Sequence, residues 1–429
     1  MRLRVHTLRD QAAATNLFLV QTAVMDTRAQ NVLSDVVLAC CRQSDLTVPA
    51  SMLGRVAAAD KPELFAIAKR HRVAGLLAVQ AAALGWKEAL PGGAWGAFRL
   101  QGLAQHLLLS GELRRVGIAL DRAGIPWLTF KGAALSACTY PRPDLRAYGD
   151  VDVLVEPADL RRTLDVLHQS GATLYAEPWA ELQRTGRAQL NVVTAFGLPL
   201  DLHWSLFNNP EVRRAFPTST TDLILRRRWC DVLSNAVPTL SESDELVFLA
   251  AHGAQSGANL LVWVLDLHLA AKGVRDWATV VETAHRRRLG LVTAAMLGRA
   301  QHLLGTPLPR DLLDELSGAR AWKSLLAVLD RYRPPQRSVL GTGRLLMTST
   351  RSSTSTSVGH LARASWVEAV KPALQEKEHP WHKRSTRREA VPSTTVDVIT
   401  QTLAESPSRS GFLEWVEPGG VAHDPARTA

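Results

Sequence analysis

The sequence predicts a helix-rich α+β protein. Its 429 residues are 46% hydrophobic and 21% charged, which is usual for a folded chain of two or three domains. Ala, Leu and Arg are abundant, whereas Tyr and Phe number only four and nine, and the abundant residues lose little rotamer freedom in a helix. Between Gly124 and Phe207, helical spacing gives way to short apolar runs bounded by Gly and Pro, which predict a compact αβ unit.

The N-terminal segment, residues 26–123, is predicted to be helical. Apolar residues recur at helical spacing from about 26 to 84, and a long helix follows from Leu100 to Ala123. The predicted buried stripe of that helix consists of Leu107, Leu108, Leu113, Val116 and Leu120. Residues 1–25 are expected to be a disordered or mis-started extension, because no later feature depends on them. The alternative is a signal peptide, which their basic residues and short apolar run faintly imitate.

The αβ core is predicted over residues 124–207. Four apolar runs within it indicate strands, at residues 125–130, 150–155, 190–195 and 198–206. Helices are expected at residues 133–138 and 158–168, the second after the break at Pro157.

A C-terminal helical domain is predicted over residues 208–334, because Ser241 and Asp244 form a capping box ahead of an apolar run. The tail, residues 335–429, is expected to be mostly disordered, since Thr348 to Ser357 is a Ser/Thr-rich tract. One candidate helix lies around residues 366–374.

Charge and cysteine content limit the classes of partner. A net charge of +10 fits a nucleic-acid or polyphosphate partner, but an Arg-rich composition gives the same balance, so nucleic-acid binding is not favoured. Runs such as Arg226–Arg228 are interpreted as solvated helix faces. The four cysteines lack metal or redox spacing and are expected to be free thiols in a reducing cytosol. No apolar stretch reaches the roughly 18 residues of a membrane span, so we expect a cytoplasmic protein without a membrane partner.

Three acids form the candidate site. Asp150 and Asp152 follow Gly149 and lie two apart on a predicted strand, so their carboxylates share a face, with Cα atoms about 7 Å apart. Asp201 and His203 likewise share a face of a second strand. If the strands are neighbours, three acids converge, and they would repel one another unless cations joined them. Taken alone, the Asp-x-Asp pattern is also compatible with a solvated turn.

Each of the further polar residues has either a functional or a structural interpretation. Lys131 and Gly132 stand where a strand gives way to a helix, which suits a phosphate group but also an ordinary turn. His203 either orients Asp201 or packs under the sheet. His252 and Asp266 lie on helices that either form the acceptor side of a cleft or simply bridge helices.

Three segments, residues 128–132, 146–155 and 200–204, resemble the uncharacterised nucleotidyltransferase family of the polymerase-β-like superfamily, and the resemblance covers about residues 55–330. It implies a small mixed sheet flanked by helices. It also implies that Asp150 and Asp152 bind both metal ions and that Asp201 shares the catalytic ion or acts as the base. The superfamily usually has Gly-Ser at the phosphate-binding turn, whereas this chain has Gly132-Ala133.

The implied reaction is attack by an acceptor oxygen on the α-phosphate of a nucleoside triphosphate, with Mg²⁺ or Mn²⁺ as cofactor and ATP as the default donor. The acceptor is an unidentified small molecule, peptide or protein. Residues expected to contact the nucleotide are Lys131, Gly132, Gly149, Arg142, Arg146 and His203, although solvated loop arginines are the alternative for Arg142 and Arg146. Two other functions stay open: a noncatalytic nucleotide-binding module, and a nucleic-acid-acting transferase or antitoxin-type partner.

Overall fold

A computed structural model describes residues 27–42, 56–57, 60–83, 94–174, 178–256, 260–318, 401–404 and 406–416. Among the residues described before the sheet, four helices are present, and the N-terminal pattern predicts helices there. They are α1 (Thr27–Arg42), α2 (Lys61–Arg70), α3 (Ala74–Ala83) and α4 (Ala94–Arg122). No helix in the described ranges has both the length and the apolar character needed to cross a membrane.

A mixed sheet lies at the centre of the described chain, with eight strands in the order β6-β7-β1-β2-β5-β4-β3-β8. The middle strands set its character, because β2 runs antiparallel to β1 and parallel to β5. The strands are β1 (Trp127–Thr129), β2 (Val151–Val155), β3 (Thr173–Leu174), β4 (Gln189–Val193), β5 (Pro199–His203), β6 (Arg228–Val232), β7 (Asn235–Thr239) and β8 (Gln401–Thr402). The predicted α+β class and mixed sheet are confirmed.

Helices cover both faces of this sheet. Between the strands lie α5 (Gly132–Cys138), α6 (Leu160–Gln169), α7 (Trp179–Thr185), α8 (Pro210–Ala215) and α9 (Thr220–Leu225). After β7 come α10 (Glu242–Gln255), α11 (Leu261–Gly273), α12 (Trp277–Arg286), α13 (Gly290–Leu304) and α14 (Leu312–Ser317), and α15 (Pro407–Trp415) follows β8. Ser241 caps α10 by accepting a hydrogen bond from the Asp244 backbone N–H, as its sequence predicts.

Two hydrophobic cores lie on opposite faces of the sheet. Val151, Val153 and Val155 pack in the core that includes α4 and α6. Leu154 points the other way, into the core that includes α10, α11 and α13. Because strand side chains alternate, Asp152 lies on the same face as Leu154. The sheet therefore presents Asp152 toward the C-terminal helices.

The sheet extends beyond the predicted αβ core of residues 124–207. The hairpin β6–β7 lies within the segment predicted to be helical, 208–334, and Arg228 begins a strand instead of lying on a helix. Leu233 and Ser234 form the turn with φ angles of 52° and 60°. Such turns usually contain Asn-Gly, so the sequence lacked the common hairpin signal.

The predicted stripe of α4 was wrong at Leu107 and Leu108, which are 47% and 60% exposed. Leu113, Val116 and Leu120 are buried as predicted. Where the stripe failed, the buried residues of α4 are His106, Leu109 and Ser110, and His106 contacts the Tyr148 hydroxyl at 2.7 Å. Apolar periodicity therefore could not identify that face.

Part of the predicted disordered tail, residues 335–429, is ordered. β8 pairs with β3, and Phe412 on α15 packs against Trp179 and Trp204. Arg409 is buried and binds Asp165 on α6. The extension 1–25 and the candidate helix at 366–374 lie outside the described residues.

The free-thiol prediction was wrong for Cys138 and Cys230. They form a disulfide between α5 and β6, with Cα atoms 6.2 Å apart and a sequence separation of 92. Sequence spacing could not reveal a pairing that depends on the tertiary fold. Cys40 and Cys41 are free and buried, and burial raises the pKa of Cys40 to about 12, which makes its reactive thiolate scarce.

Gly75 allows α3 to approach the loop that leads to β2. A Cβ atom at this position would lie 2.8 Å from the Asp144 carbonyl oxygen and 2.9 Å from that of Leu145. Gly75→Ala is therefore expected to lower the free energy of unfolding by about 1–3 kcal/mol in urea titration. Gly102→Ala is the control, because its Cβ would lie 3.5 Å from the same Asp144 oxygen. Equal stability of the two variants would contradict the proposed close contact.

Candidate functional site

Asp152 and Asp201 lie side by side at the centre of the sheet. The parallel pairing of β2 and β5 places Asp152 opposite Asp201 and Leu154 opposite His203. Asp152, Asp201 and His203 are buried, and one ligand atom from each lies within 4.8 Å of the others. The two acid-bearing strands are thus neighbours, and two carboxylates and one imidazole converge on one face.

Asp152 lies between two basic side chains. Lys131 Nζ and His203 Nε2 each lie 3.2 Å from its Oδ1 atom. Burial alone would raise the pKa of Asp152, but the Lys131 charge and the His203 hydrogen bond hold it well below its usual value. Asp152 is consequently an anion at neutral pH.

Asp201 has neutral partners from β4, the strand on its other side. Gln189 Nε2 donates to its Oδ2 at 2.6 Å, and Asn191 Nδ2 donates to its Oδ1. Burial and the nearby Asp152 charge raise the pKa of Asp201. Neighbouring carboxyls whose pKa values move apart are typical of functional sites.

Sequence reasoning missed Gln189 and Asn191. They alternate along β4, so they share a face, but only the antiparallel register that pairs Asn191 with Asp201 shows which face it is. The one sequence signal was the spacing of these two polar residues, which stand two positions apart on a strand.

The group of possible metal ligands differs from the expected set in two residues, because it lacks Asp150 and includes His203. Asp150 lies just before the first residue of β2, is half-buried, and is not part of the three-residue group. His203 is part of that group, and its ring also packs edge-on against Phe130 with centroids 5.0 Å apart. Within the described chain, His203 Nδ1 is buried without a hydrogen-bond partner. Metal ligation by Asp150, Asp152 and Asp201 stays a prediction.

The Lys131-Gly132 turn lies against the start of β2. Lys131 has φ 58° and Gly132 has φ 37°, and a Cβ atom on Gly132 would lie 3.4 Å from the Asp150 carbonyl oxygen. A positive φ is strained for lysine, and such strain often occurs at functional sites. Gly149, which precedes Asp150, is exposed. The turn directs the Lys131 ammonium group to Asp152.

The two candidate arginines are held by different acids. Arg142 uses Nε and Nη2 to bind Asp144 at 3.0 and 2.7 Å, and its side chain is 41% exposed. Arg146 binds Asp266 on α11 through Nε and Nη2 at 2.8 and 2.9 Å, and its side chain is 8% exposed. Arg146 is therefore not a solvated loop arginine, and Asp266 bridges α11 to the loop before β2.

His252 on α10 lies close to the same site. Its ring stacks on Phe248 with centroids 5.6 Å apart and meets Trp263 edge-on at 6.3 Å. Burial, reinforced by the Lys131 charge, lowers the pKa of His252 to about 3. His252 is therefore neutral at physiological pH.

The stability of the protein should depend on the protonation of His252. Because its folded-state pKa is below the unfolded value of about 6.5, its contribution is present above that pH and is lost as the pH falls toward 3. Between pH 7 and pH 5, the native chain should lose about 1–2 kcal/mol more unfolding free energy than His252→Gln. Urea titration at each pH measures this difference.

Exposed His302 provides the control, since His302→Gln should keep the native pH dependence. If His252→Gln and native protein lost stability equally over this range, the neutral state of half-buried His252 would be contradicted.

Comparison with known proteins agrees with this geometry. No curated protein matches the chain. The family model described as "Uncharacterised nucleotidyltransferase" matches residues 57–305, which include α2 through α13 and so contain Lys131, Asp152 and Asp201. The match covers more than half of the 429 residues. The chain therefore belongs to the uncharacterised nucleotidyltransferase family.

Proposed function

We propose that this protein is a metal-dependent nucleotidyltransferase. It would transfer a nucleoside monophosphate from ATP, or another nucleoside triphosphate, to a small-molecule, peptide or protein acceptor and release pyrophosphate. The observation that carries the proposal is the alignment of Asp152 and Asp201 on adjoining strands beside Lys131, in a chain of this family. A cytoplasmic location remains part of the proposal.

The residues present fit a divalent cation. Two buried carboxylates and an imidazole offer ligand atoms within 4.8 Å, and His203 has a buried ring nitrogen with no partner in the described chain. Mg²⁺ prefers carboxylate oxygens, and Mn²⁺ also accepts imidazole. When bound, the ion would polarise phosphoryl oxygens and offset the charge of the leaving group. Asp152 and Asp201 would hold it, with Asp150 as a further candidate ligand.

The remaining groups would bind and orient the triphosphate. Lys131 places a positive charge beside Asp152, and neutral Gln189 and Asn191 hold the carboxylate of Asp201 in one orientation. The rate enhancement would come from groups whose positions and charges are fixed, so that they contact the phosphates without rearrangement. Catalysis would thus depend mainly on positioning.

The first test is calorimetry of ATP binding with and without Mg²⁺ or Mn²⁺. Native protein, Asp150→Asn and Asp152→Asn are compared as separate samples. We expect metal-dependent binding that Asp152→Asn abolishes, and the Asp150→Asn result shows whether Asp150 takes part. Binding that ignores both metal and the Asp152 substitution, or no binding to any triphosphate, would refute the catalytic proposal.

A noncatalytic nucleotide-binding module is the second candidate. It is favoured by Ala133, which is buried at the turn and lacks the hydroxyl of the Gly-Ser pattern. Such a module would bind ATP without metal and would release no pyrophosphate when candidate acceptors are supplied. A pyrophosphate-release assay with Mg²⁺ and Mn²⁺ separates the two functions.

A further inference from the structure

We propose that Asp266 is a positioning residue, which holds Arg146 so that Arg146 Nη1 binds a phosphate group of the nucleotide. The proposal rests on the proposed function, since it assigns a triphosphate to the same site. Asp266 would act entirely through Arg146, and it would not touch the substrate itself.

Asp266 fixes the guanidinium group of Arg146 at two points. Nε lies 2.8 Å from Oδ1 and Nη2 lies 2.9 Å from Oδ2, the paired geometry in which a planar guanidinium cannot rotate. Asp266 is 1% exposed on α11. Tyr140, also buried, donates its hydroxyl to Oδ1 at 2.5 Å. The orientation of Arg146 is thus set by two buried residues.

Asp266 does not bind the third guanidinium nitrogen of Arg146, Nη1. Within the described chain it is buried and has no hydrogen-bond partner. A buried charged donor without a partner is unfavourable, and an anionic oxygen would remove that penalty. A triphosphate at the site would supply such an oxygen, because Arg146 interacts electrostatically with Asp152 and His252. Arg146 also belongs to the loop that leads directly into β2.

Arg287 provides a matched comparison elsewhere in the chain. Its side chain is 4% exposed, it binds the fully buried Asp244 at 2.5 Å, and its Nη1 is also buried without a partner among the described residues. Its charged neighbours are Asp244, Arg226, Arg286 and Asp222, none of which belongs to the site. An unsatisfied guanidinium nitrogen alone therefore indicates no ligand. Arg146 differs from Arg287 in its electrostatic interaction with Asp152 and in its place in the loop that leads into β2.

The test uses inorganic tripolyphosphate without metal, and ATP with Mg²⁺, as calorimetric probes of the full chain. Asp266→Asn keeps the shape of the side chain but removes its charge, and it should weaken binding of both probes about tenfold. Tyr140→Phe should cause a smaller loss in the same direction. Asp244→Asn should leave both affinities unchanged, even if it lowers the melting temperature as much as Asp266→Asn does.

A double-variant cycle separates positioning from stability. Arg146→Met leaves Asp266 buried without its partner, so this variant should unfold at lower temperature and bind tripolyphosphate poorly. Adding Asp266→Asn should restore much of the melting temperature without restoring affinity. If Asp266→Asn weakened binding equally with and without Arg146, Asp266 would not act through Arg146 and the proposal would be overturned.

The outcomes distinguish this inference from the proposed function. If Mg-ATP binding depends on Asp152 but Asp266→Asn does not change it, only the positioning role is overturned. A second outcome is that tripolyphosphate binding depends on Arg146 and Asp266, while ATP binding depends on neither metal nor Asp152. This outcome supports the anion site and refutes the transferase. A native chain that binds neither probe refutes both.

Discussion

Asp152→Asn is expected to lower the rate of pyrophosphate release from Mg-ATP by on the order of 1,000-fold. The substitution removes the one strongly acidic carboxylate of the site, whose low pKa keeps it charged, and leaves Lys131 facing a neutral amide. A cation would then have to bind Asp201 and His203 without it. Measurement requires saturating Mg²⁺ or Mn²⁺ and an acceptor found by screening small molecules and peptides.

Asp165→Asn is the matched control for that loss. Asp165 lies on α6, where its half-exposed carboxylate pairs with Arg409, and it is not one of the site residues. It should keep native turnover. Turnover within threefold of native in Asp152→Asn, at native melting temperature, would show that this carboxylate does not hold a catalytic ion.

Lys131→Met should reduce kcat/KM for Mg-ATP by about 100-fold, the loss typical of one fixed donor to a developing charge. Lys131 Nζ lies 3.2 Å from Asp152 Oδ1, and the strained turn at φ 58° holds it there. Methionine keeps most of the length of the side chain but cannot donate a hydrogen bond. Steady-state kinetics over a range of ATP concentrations gives the value.

Two further variants show whether this loss is specific to the Lys131 ammonium group. Lys69→Met removes an exposed lysine from α2 and should have no effect. Lys131→Arg retains the charge with a different shape and should recover part of the activity. If Lys131→Met and Lys69→Met behaved alike, Lys131 would merely balance the charge of Asp152 in the folded chain.

The local pattern of the site was readable from the sequence. Alternation along each strand placed Asp152 on one face of β2, and Asp201 with His203 on one face of β5, because side-chain direction in a strand has a period of two. That β2 and β5 are neighbours is confirmed by their pairing. The catalytic roles of Asp150, Asp152 and Asp201 stay predictions.

The partners of these residues could not be predicted. Arg146 and Asp266 are 120 residues apart, and Gln189 meets Asp201 only through the register of β4 and β5. Contacts of this kind depend on tertiary packing, which leaves no periodic signal in one sequence. The same limit applies to the β6–β7 hairpin, whose Leu-Ser turn lacks the usual glycine.

The pairing of β8 with β3 affects the order in which this protein can fold. Arg409 and Asp165, which join α15 to α6, are separated by 244 residues in sequence. During synthesis the sheet therefore has an open edge at β3, and the apolar surface around Trp179 and Trp204 lacks Phe412, until β8 and α15 have been made. A nascent or truncated chain that ends before β8 would expose that edge to other chains. The last described residues of the chain thus cover the β3 edge and complete the apolar packing around Trp179 and Trp204.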